Sequence, residues 1–145
     1  MLCGRRATER VQSRLPVGCE YLQADISVEA EVDALVGQIL QRHGRLDGVL
    51  HAAGLLQDSL ISNKTEEMFR AVLAPKVTGS EVLLRAALKI DVAFFVSFST
   101  VSAAFGNAGQ VDYAAACAFQ DALTQQYAMQ TPRNTRILSI DWPLW

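Results

Sequence analysis

Apolar residues along this chain follow two periods. Short continuous apolar runs alternate with longer stretches in which apolar positions recur at helical spacing. Val28, Val32, Leu35, Val36, Ile39 and Leu40 fall at i, i+4, i+7, i+8, i+11 and i+12, a single stripe. The stripe predicts a helix over residues 28–43, capped by Ser27, with Glu29 and Glu31 at its positive end and Gly44 stopping it. Residues 1–4 read as the tail of a strand, 7–14 as a short helix, 19–24 as a strand and 46–51 as a buried strand ending in Ala52-Ala53-Gly54. Thr65 caps the next helix, with Glu66 and Glu67 in its first turn. Pro75 interrupts that helix, which predicts a kink or two abutting helices, the second running to about Lys89. Residues 92–99 are a continuous apolar strand of the kind found in helix-covered parallel sheets. Residues 106–110 are a loop, Asp112 is a candidate cap for a helix over 113–129, and 137–142 form a last strand closed by Pro143. Alternating strand and helix predicts a doubly wound α/β domain occupying the whole of 1–145.

Composition narrows the function classes. Half of the 145 residues are hydrophobic and the formal net charge is −2, which fits one globular unit and offers no basic face for nucleic acid. No apolar run approaches the roughly 18 to 20 residues of a membrane span. Cys3, Cys19 and Cys117 are odd in number and widely spaced, which reads as reduced thiols in a cytoplasmic protein. No metal site is expected, because His43 and His51 have no ligand partner at useful spacing. His51 reads as a structural histidine, and Trp142 and Trp145 as packing residues.

The candidate chemistry lies in Tyr113-Ala114-Ala115-Ala116-Cys117, taken with Lys76 and the pair Ser99-Thr100. A free phenol titrates at about 10, and a neighbouring ammonium favours the phenolate, so a Tyr–Lys pair is a compact proton-transfer device near neutral pH. Tyr113 and Cys117 share a helix face.

From Leu46 onward the chain resembles the ketoreductase domain of modular polyketide synthases, a branch of the short-chain dehydrogenase/reductase superfamily. The residues that carry the resemblance are Leu46-Asp-Gly-Val-Leu-His-Ala-Ala-Gly54, Leu73-Ala-Pro-Lys-Val77, Phe98-Ser-Thr100, Gly106-Asn-Ala-Gly-Gln110 leading to Tyr113-Ala-Ala-Ala116, and Ile140-Asp-Trp-Pro-Leu-Trp145. The resemblance implies a Rossmann-like sheet and reduction, with NADPH, of a β-ketoacyl thioester on an acyl carrier protein, among the other domains of a synthase. It puts the family's lysine on Lys76 and its catalytic tyrosine on Tyr113. The family's serine falls on Thr100, with Ser99 beside it, and its asparagine on Cys117. A thiol is a weak donor and acceptor compared with an amide, which implies impaired activity. Arg5 falls where the family holds the 2′-phosphate, Asp25 and Ile26 on the adenine segment, and Ala52, Ala53 and Gly54 where backbone approaches the cofactor ribose. Asp58, in Leu56-Gln57-Asp58, and Phe105 imply the D-hydroxyl (B-type) outcome.

Set against the family, the first βα unit with its glycine-rich fingerprint and the C-terminal lid are absent from these residues. The expectation is a truncated core that binds NADPH weakly or not at all alone. The alternative reading is a degenerate or split ketoreductase with a structural role in a megasynthase.

Overall fold

The computed structural model describes residues 1–131 and 134–143, which include every site candidate above. Five strands and six α-helices follow in the order β1 (Leu2–Gly4), α1 (Thr8–Val11), β2 (Tyr21–Gln23), α2 (Glu29–His43), β3 (Gly48–His51), α3 (Glu66–Lys76), α4 (Thr78–Lys89), β4 (Phe94–Thr100), α5 (Ser102–Phe105), α6 (Val111–Gln130) and β5 (Arg136–Trp142). Every strand pair is parallel. β1 pairs with β2, and a second sheet has the order β3-β4-β5, in the register Val49–Phe95–Ile137. Parallel neighbours need a crossover, and helices supply it, which gives the α/β class the alternation predicts.

Among the described residues, β1 and β3 each pair on one side only. Between them lies a cleft of about 660 Å³, lined by residues of β1, by Ala24 to Ser27 and by the run from Gly48 to Gly54.

The core forms on one face of the larger sheet. Phe95, fully buried, packs with Val32 of α2 and with Leu83, Leu84, Ala86 and Ala87 of α4, and Leu123 and Tyr127 of α6 close the cluster. Side chains of adjacent strand residues point to opposite faces. The row Leu50–Val96–Leu138 therefore turns away from these helices, and Leu50 is 64% and Leu138 41% exposed. Phe98 stacks on Trp142 on that same face, with centroids 5.8 Å apart. The packing role read for Trp142 is met there; Trp145 lies outside the described residues.

The predicted break at Pro75 is present: α3 ends at Lys76 and α4 begins at Thr78. Thr65 caps α3 through its side chain, which accepts from Met68 N at 3.2 Å. Two other expected caps are corrected. Val28, not Ser27, is the N-cap of α2, because the Ser27 hydroxyl donates to Asp25 Oδ1 at 2.6 Å. Gln110 occupies the N-cap of α6, and Asp112 lies inside its first turn, where its carboxylate takes a lysine. No helix among the described residues is long and apolar enough to cross a membrane.

Candidate active site

The site gathers where β3 and β4 end and the α3–α4 break meets α6. Lys76 closes α3 and is only 3% exposed, an unusual position for an ammonium that no carboxylate caps directly. Its Nζ donates to Phe98 O at 2.7 Å and to Gln120 Oε1 at 3.1 Å. The same Nζ stands 5.5 Å from the centroid of the Tyr113 ring, in cation–π range. Burial pulls Lys76 below the ordinary lysine value, against the opposing effects of the Cys117 thiol and the Asp121 carboxylate.

Tyr113 differs from the sequence expectation. Its phenol is pushed up to about 12, first by burial, then by Cys117 and the Asp58 carboxylate. The Lys76 ammonium faces the ring, and its hydrogen bonds go to Phe98 O and Gln120 Oε1. Tyr113 thus holds its proton at neutral pH, the state a general acid needs before it donates.

Cys117 is fully buried one turn along α6, and its thiol engages Lys76, Tyr113 and Ser99. Burial raises its pKa, so it is a neutral thiol. Ser99 donates to Asp121 Oδ2 at 2.9 Å, and Ser139 holds the other oxygen of that carboxylate at 2.5 Å. Thr100 points elsewhere. It is next in the strand, and its hydroxyl meets the Ser102 hydroxyl at 3.4 Å and accepts from Ser102 N at 3.3 Å. The two candidate hydroxyls therefore have different neighbourhoods: Ser99 lies with Cys117, Thr100 with the α5 turn.

Gly54 sits where a side chain would crowd the pair. A Cβ there would lie 3.3 Å from Lys76 Cε and 4.0 Å from Tyr113 Cε2. Asp58 accepts from Gln110 Nε2 at 2.8 Å, and Ser59 N donates to Gly109 O at 3.0 Å. These bonds tie the segment after β3 to the loop before α6. Gly109 has φ +82° and Ser59 backbone at 3.6 Å from its absent Cβ, so both its conformation and its contact suit glycine. Phe105, at the end of α5, is 88% exposed.

Arg5, Asp25, Ile26, Ala52, Ala53 and Gly54 all line the one cleft between β1 and β3. Small residues at the end of β3 make up part of its lining, and the Ser27 hydroxyl, with Arg5 in support, holds the Asp25 carboxyl below its usual range. The Arg5 guanidinium and the small-residue backbone of Ala52 to Gly54 are the parts of this cleft that suit a phosphate-bearing dinucleotide, and the rest of its lining, with Leu35, Ile39, Leu46 and Phe94, is apolar.

Some residues of the site are not among the sequence candidates. Lys64 and Asp112 form an ion pair at 2.7 Å with side chains 2% and 1% exposed. Lys64 Nζ also donates to Gln57 O at 2.8 Å, and Asp112 Oδ1 accepts from Tyr113 N at 2.9 Å, so the pair clamps the start of α6. Gln120, Asp121 and Thr124 continue the face that Tyr113 and Cys117 begin, at i+7, i+8 and i+11. That helical arithmetic was the available signal. Nothing in local spacing flags Lys64, 48 residues from its partner.

His51 is structural, as read from the sequence. It is 2% exposed and edge-on to Phe95. The Ser80 hydroxyl directs its hydrogen to Lys76 O at 2.6 Å, so His51 Nε2 carries the proton, shared between Ser80 Oγ at 3.0 Å and Pro75 O at 3.1 Å. Burial and the Lys76 charge lower its pKa to about 4. Between that value and the unfolded value of about 6.5, the unfolded chain binds a proton the folded one refuses. Folding stability is therefore expected to fall as pH drops from about 6.5 to about 4, by about 3 kcal/mol at the bottom of the window. Urea unfolding at stepped pH checks this against His51→Gln. Parallel stability curves for the two proteins across that window would remove the assignment.

The fold and the geometry have counterparts among known proteins. A family model described as KR domain matches residues 3–145. The chain is 41% identical to polyketide synthase PksN of Bacillus subtilis (strain 168) over 128 residues, 86% of this chain and 2% of that protein. It is 41% identical to PksL of the same strain over 135 residues, 91% of this chain and 3% of that protein. Among solved structures it is similar to an N-terminal ketoreductase from the macrolactin assembly line, with TM-score 0.89 and 45% identity over 99% of this chain and 31% of that one. A ketoreductase domain from the bacillaene assembly line gives 0.84 and 36%, over 99% of this chain and 37% of that one. A short-chain dehydrogenase from Streptomyces avermitilis, 24% identical with TM-score 0.83 over 96% of this chain and 54% of that one, shares the fold. The chain belongs to the ketoreductase (KR) domain family of polyketide synthases, with a short-chain dehydrogenase/reductase fold. It spans a few per cent of the length of the curated relatives and about a third of the two ketoreductase structures.

Proposed function

We propose that this chain carries the proton-transfer site of a ketoreductase that reduces a β-ketoacyl thioester, held on an acyl carrier protein, to the β-hydroxyacyl form. The observation that carries the reading is the Lys76 ammonium, buried and held over the ring of Tyr113, whose phenol burial pushes up, with Gly54 close to both. Tyr113 gives its proton to the carbonyl oxygen. Lys76 stabilises the phenolate that results, because an ammonium in a poorly solvated pocket acts strongly on charge that develops beside it. Ser99 and Thr100 are the two hydroxyls available to orient the carbonyl, and Ser99, beside Cys117, is the nearer to the pair's network. Arg5, Asp25, Ile26, Ala52, Ala53 and Gly54 would hold NADPH, with Arg5 on the 2′-phosphate. When bound, that cofactor supplies the hydride. Asp58, tied to Gln110 in the loop before α6, is the stereocontrol residue, favouring the D-hydroxyl product. The partners are the acyl carrier protein and the neighbouring synthase domains, in the cytoplasm.

A second reading has one observation in its favour. Cys117 stands where an amide is expected, so the domain could be a structural relic of a ketoreductase. The experiment is reduction of a β-ketoacyl thioester surrogate by the whole polypeptide that bears these residues, with NADPH and with NADH, alongside Cys117→Asn. Turnover with preference for NADPH is the expected result, and the asparagine is expected to raise kcat. Absence of turnover in both proteins would favour the relic, and turnover unchanged by the asparagine would clear Cys117 of being a lesion.

A further inference from the structure

Cys117 leaves the Lys76 ammonium without the amide that the resemblance assigns to that helical position, yet the ammonium is not left to the thiol. Gln120 lies one turn further along α6 and is fully buried. Its orientation follows from the bonds around it. The Ser80 hydroxyl donates to Lys76 O at 2.6 Å, so Ser80 Oγ accepts from Gln120 Nε2 at 3.0 Å. The carbonyl end, Oε1, is thereby turned to Lys76 Nζ at 3.1 Å. Both ends of the amide are fixed, and no buried side-chain polar atom among the described residues lacks a partner. A buried amide without partners costs several kcal/mol, so this network locks the glutamine in place.

We propose that Gln120 is a positioning residue for the ketoreduction: its side-chain amide holds the Lys76 ammonium beside Tyr113, the task for which Cys117 offers only a thiol. This rests on the reading of Tyr113 and Lys76 as the proton-transfer pair. The helix geometry makes the exchange possible. Side chains tilt toward the helix N-terminus, so a residue one turn later covers the turn before it. Glutamine has one methylene more than asparagine, and that length lets an amide reach back from position 120 to the lysine that position 117 would face. The groups around Lys76 come from three elements: Tyr113, Cys117 and Asp121 from α6, Phe98 O from β4, and His51 from β3. Gln120 Oε1 and Phe98 O accept from the ammonium at 3.1 and 2.7 Å, beside the weaker contact of the Cys117 thiol.

The test compares the whole polypeptide with Gln120→Leu, Gln120→Glu and the pair Gln120→Leu/Cys117→Asn. Two readouts are independent. One is NADPH-dependent reduction of a β-ketoacyl thioester, resolved into kcat and KM. The other is the side-chain NMR titration of Lys76 without cofactor or substrate, its signal assigned by its loss in Lys76→Met. Gln120→Leu is expected to lower kcat on the order of 10- to 10²-fold, with KM for thioester and NADPH within about threefold, because misplacing a catalytic group taxes the chemical step. The Lys76 titration is expected to shift in the same variant, and Cys117→Asn is expected to recover most of the lost kcat. If Gln120→Leu does not fold, Gln120→Glu decides: a carboxylate beside the ammonium must raise the Lys76 titration, and an unmoved signal overturns the proposal. A Gln120→Leu protein that keeps both kcat and the Lys76 titration overturns it. So does one that loses kcat with the Lys76 signal unchanged and no recovery from Cys117→Asn, which marks plain structural damage. If the unaltered polypeptide reduces no ketone, the ketoreductase reading fails, and the Lys76 titration alone decides on Gln120.

Discussion

Tyr113→Phe is expected to cut NADPH-dependent ketone reduction on the order of 10²- to 10⁴-fold, the usual worth of a positioned general acid. The substitution removes one oxygen from a half-buried ring and leaves the ring that Lys76 overlies. Folding should hardly notice it. The thermal midpoint is expected to stay within a few degrees, and KM within a small factor, because the lost proton acts in the transition state rather than in binding. The comparison with Lys76→Met separates the two members of the pair. That variant deletes the cation that stabilises the phenolate, but it also leaves Phe98 O and Gln120 Oε1 without a donor in a buried site. Lys76→Met should therefore lose both turnover and stability, and Tyr113→Phe turnover alone. Turnover by Tyr113→Phe at half the original rate or better would remove Tyr113 from the acid role.

Lys64→Met is expected to be the most destabilising single change near the site, at roughly 3 to 5 kcal/mol, because it strands the Asp112 carboxylate in a place with almost no water. The carboxylate also accepts from Tyr113 N, and the lysine also donates to Gln57 O, so the loss loosens the first turn of α6. The second variant makes the cause testable. Lys64→Met/Asp112→Asn removes the stranded charge and keeps an oxygen for Tyr113 N. It is expected to regain at least half of the loss in urea unfolding. A single variant within about 1 kcal/mol of the original protein would show that the pair is not buried in solution as it is in the structure.

Most elements were legible from periodicity. The stripe of α2, the Thr65 cap, the break after Pro75 and the apolar run of β4 all depend on residues close in sequence, and local spacing reports local structure. The two misplaced caps have one cause. Ser27 and Asp112 are both good capping side chains, but each found a stronger partner: Ser27 the Asp25 carboxylate, Asp112 the Lys64 ammonium. A capping bond is worth about 1 kcal/mol, and a hydrogen bond to a charged group about 1.5 to 3 kcal/mol.

For the site, the sequence settles the chemistry of its members and their order: a tyrosine with a thiol one turn on, a lysine at a proline-broken helix end, a strand closing in serine and threonine, and small residues after a buried strand. Those follow from residue type and spacing, and they suffice to bring out the family. Three matters belong to the tertiary structure alone. Burial, then Cys117 and the Asp58 carboxylate, push the Tyr113 phenol up to about 12, while the Lys76 ammonium bonds to Phe98 O and Gln120 instead. Ser99, rather than Thr100, stands with Cys117, because neighbours in a strand face opposite ways. Gln120 takes hold of Lys76 across 44 residues. Each of these depends on which dipoles and charges meet when distant segments pack and water leaves, and no local pattern encodes that meeting.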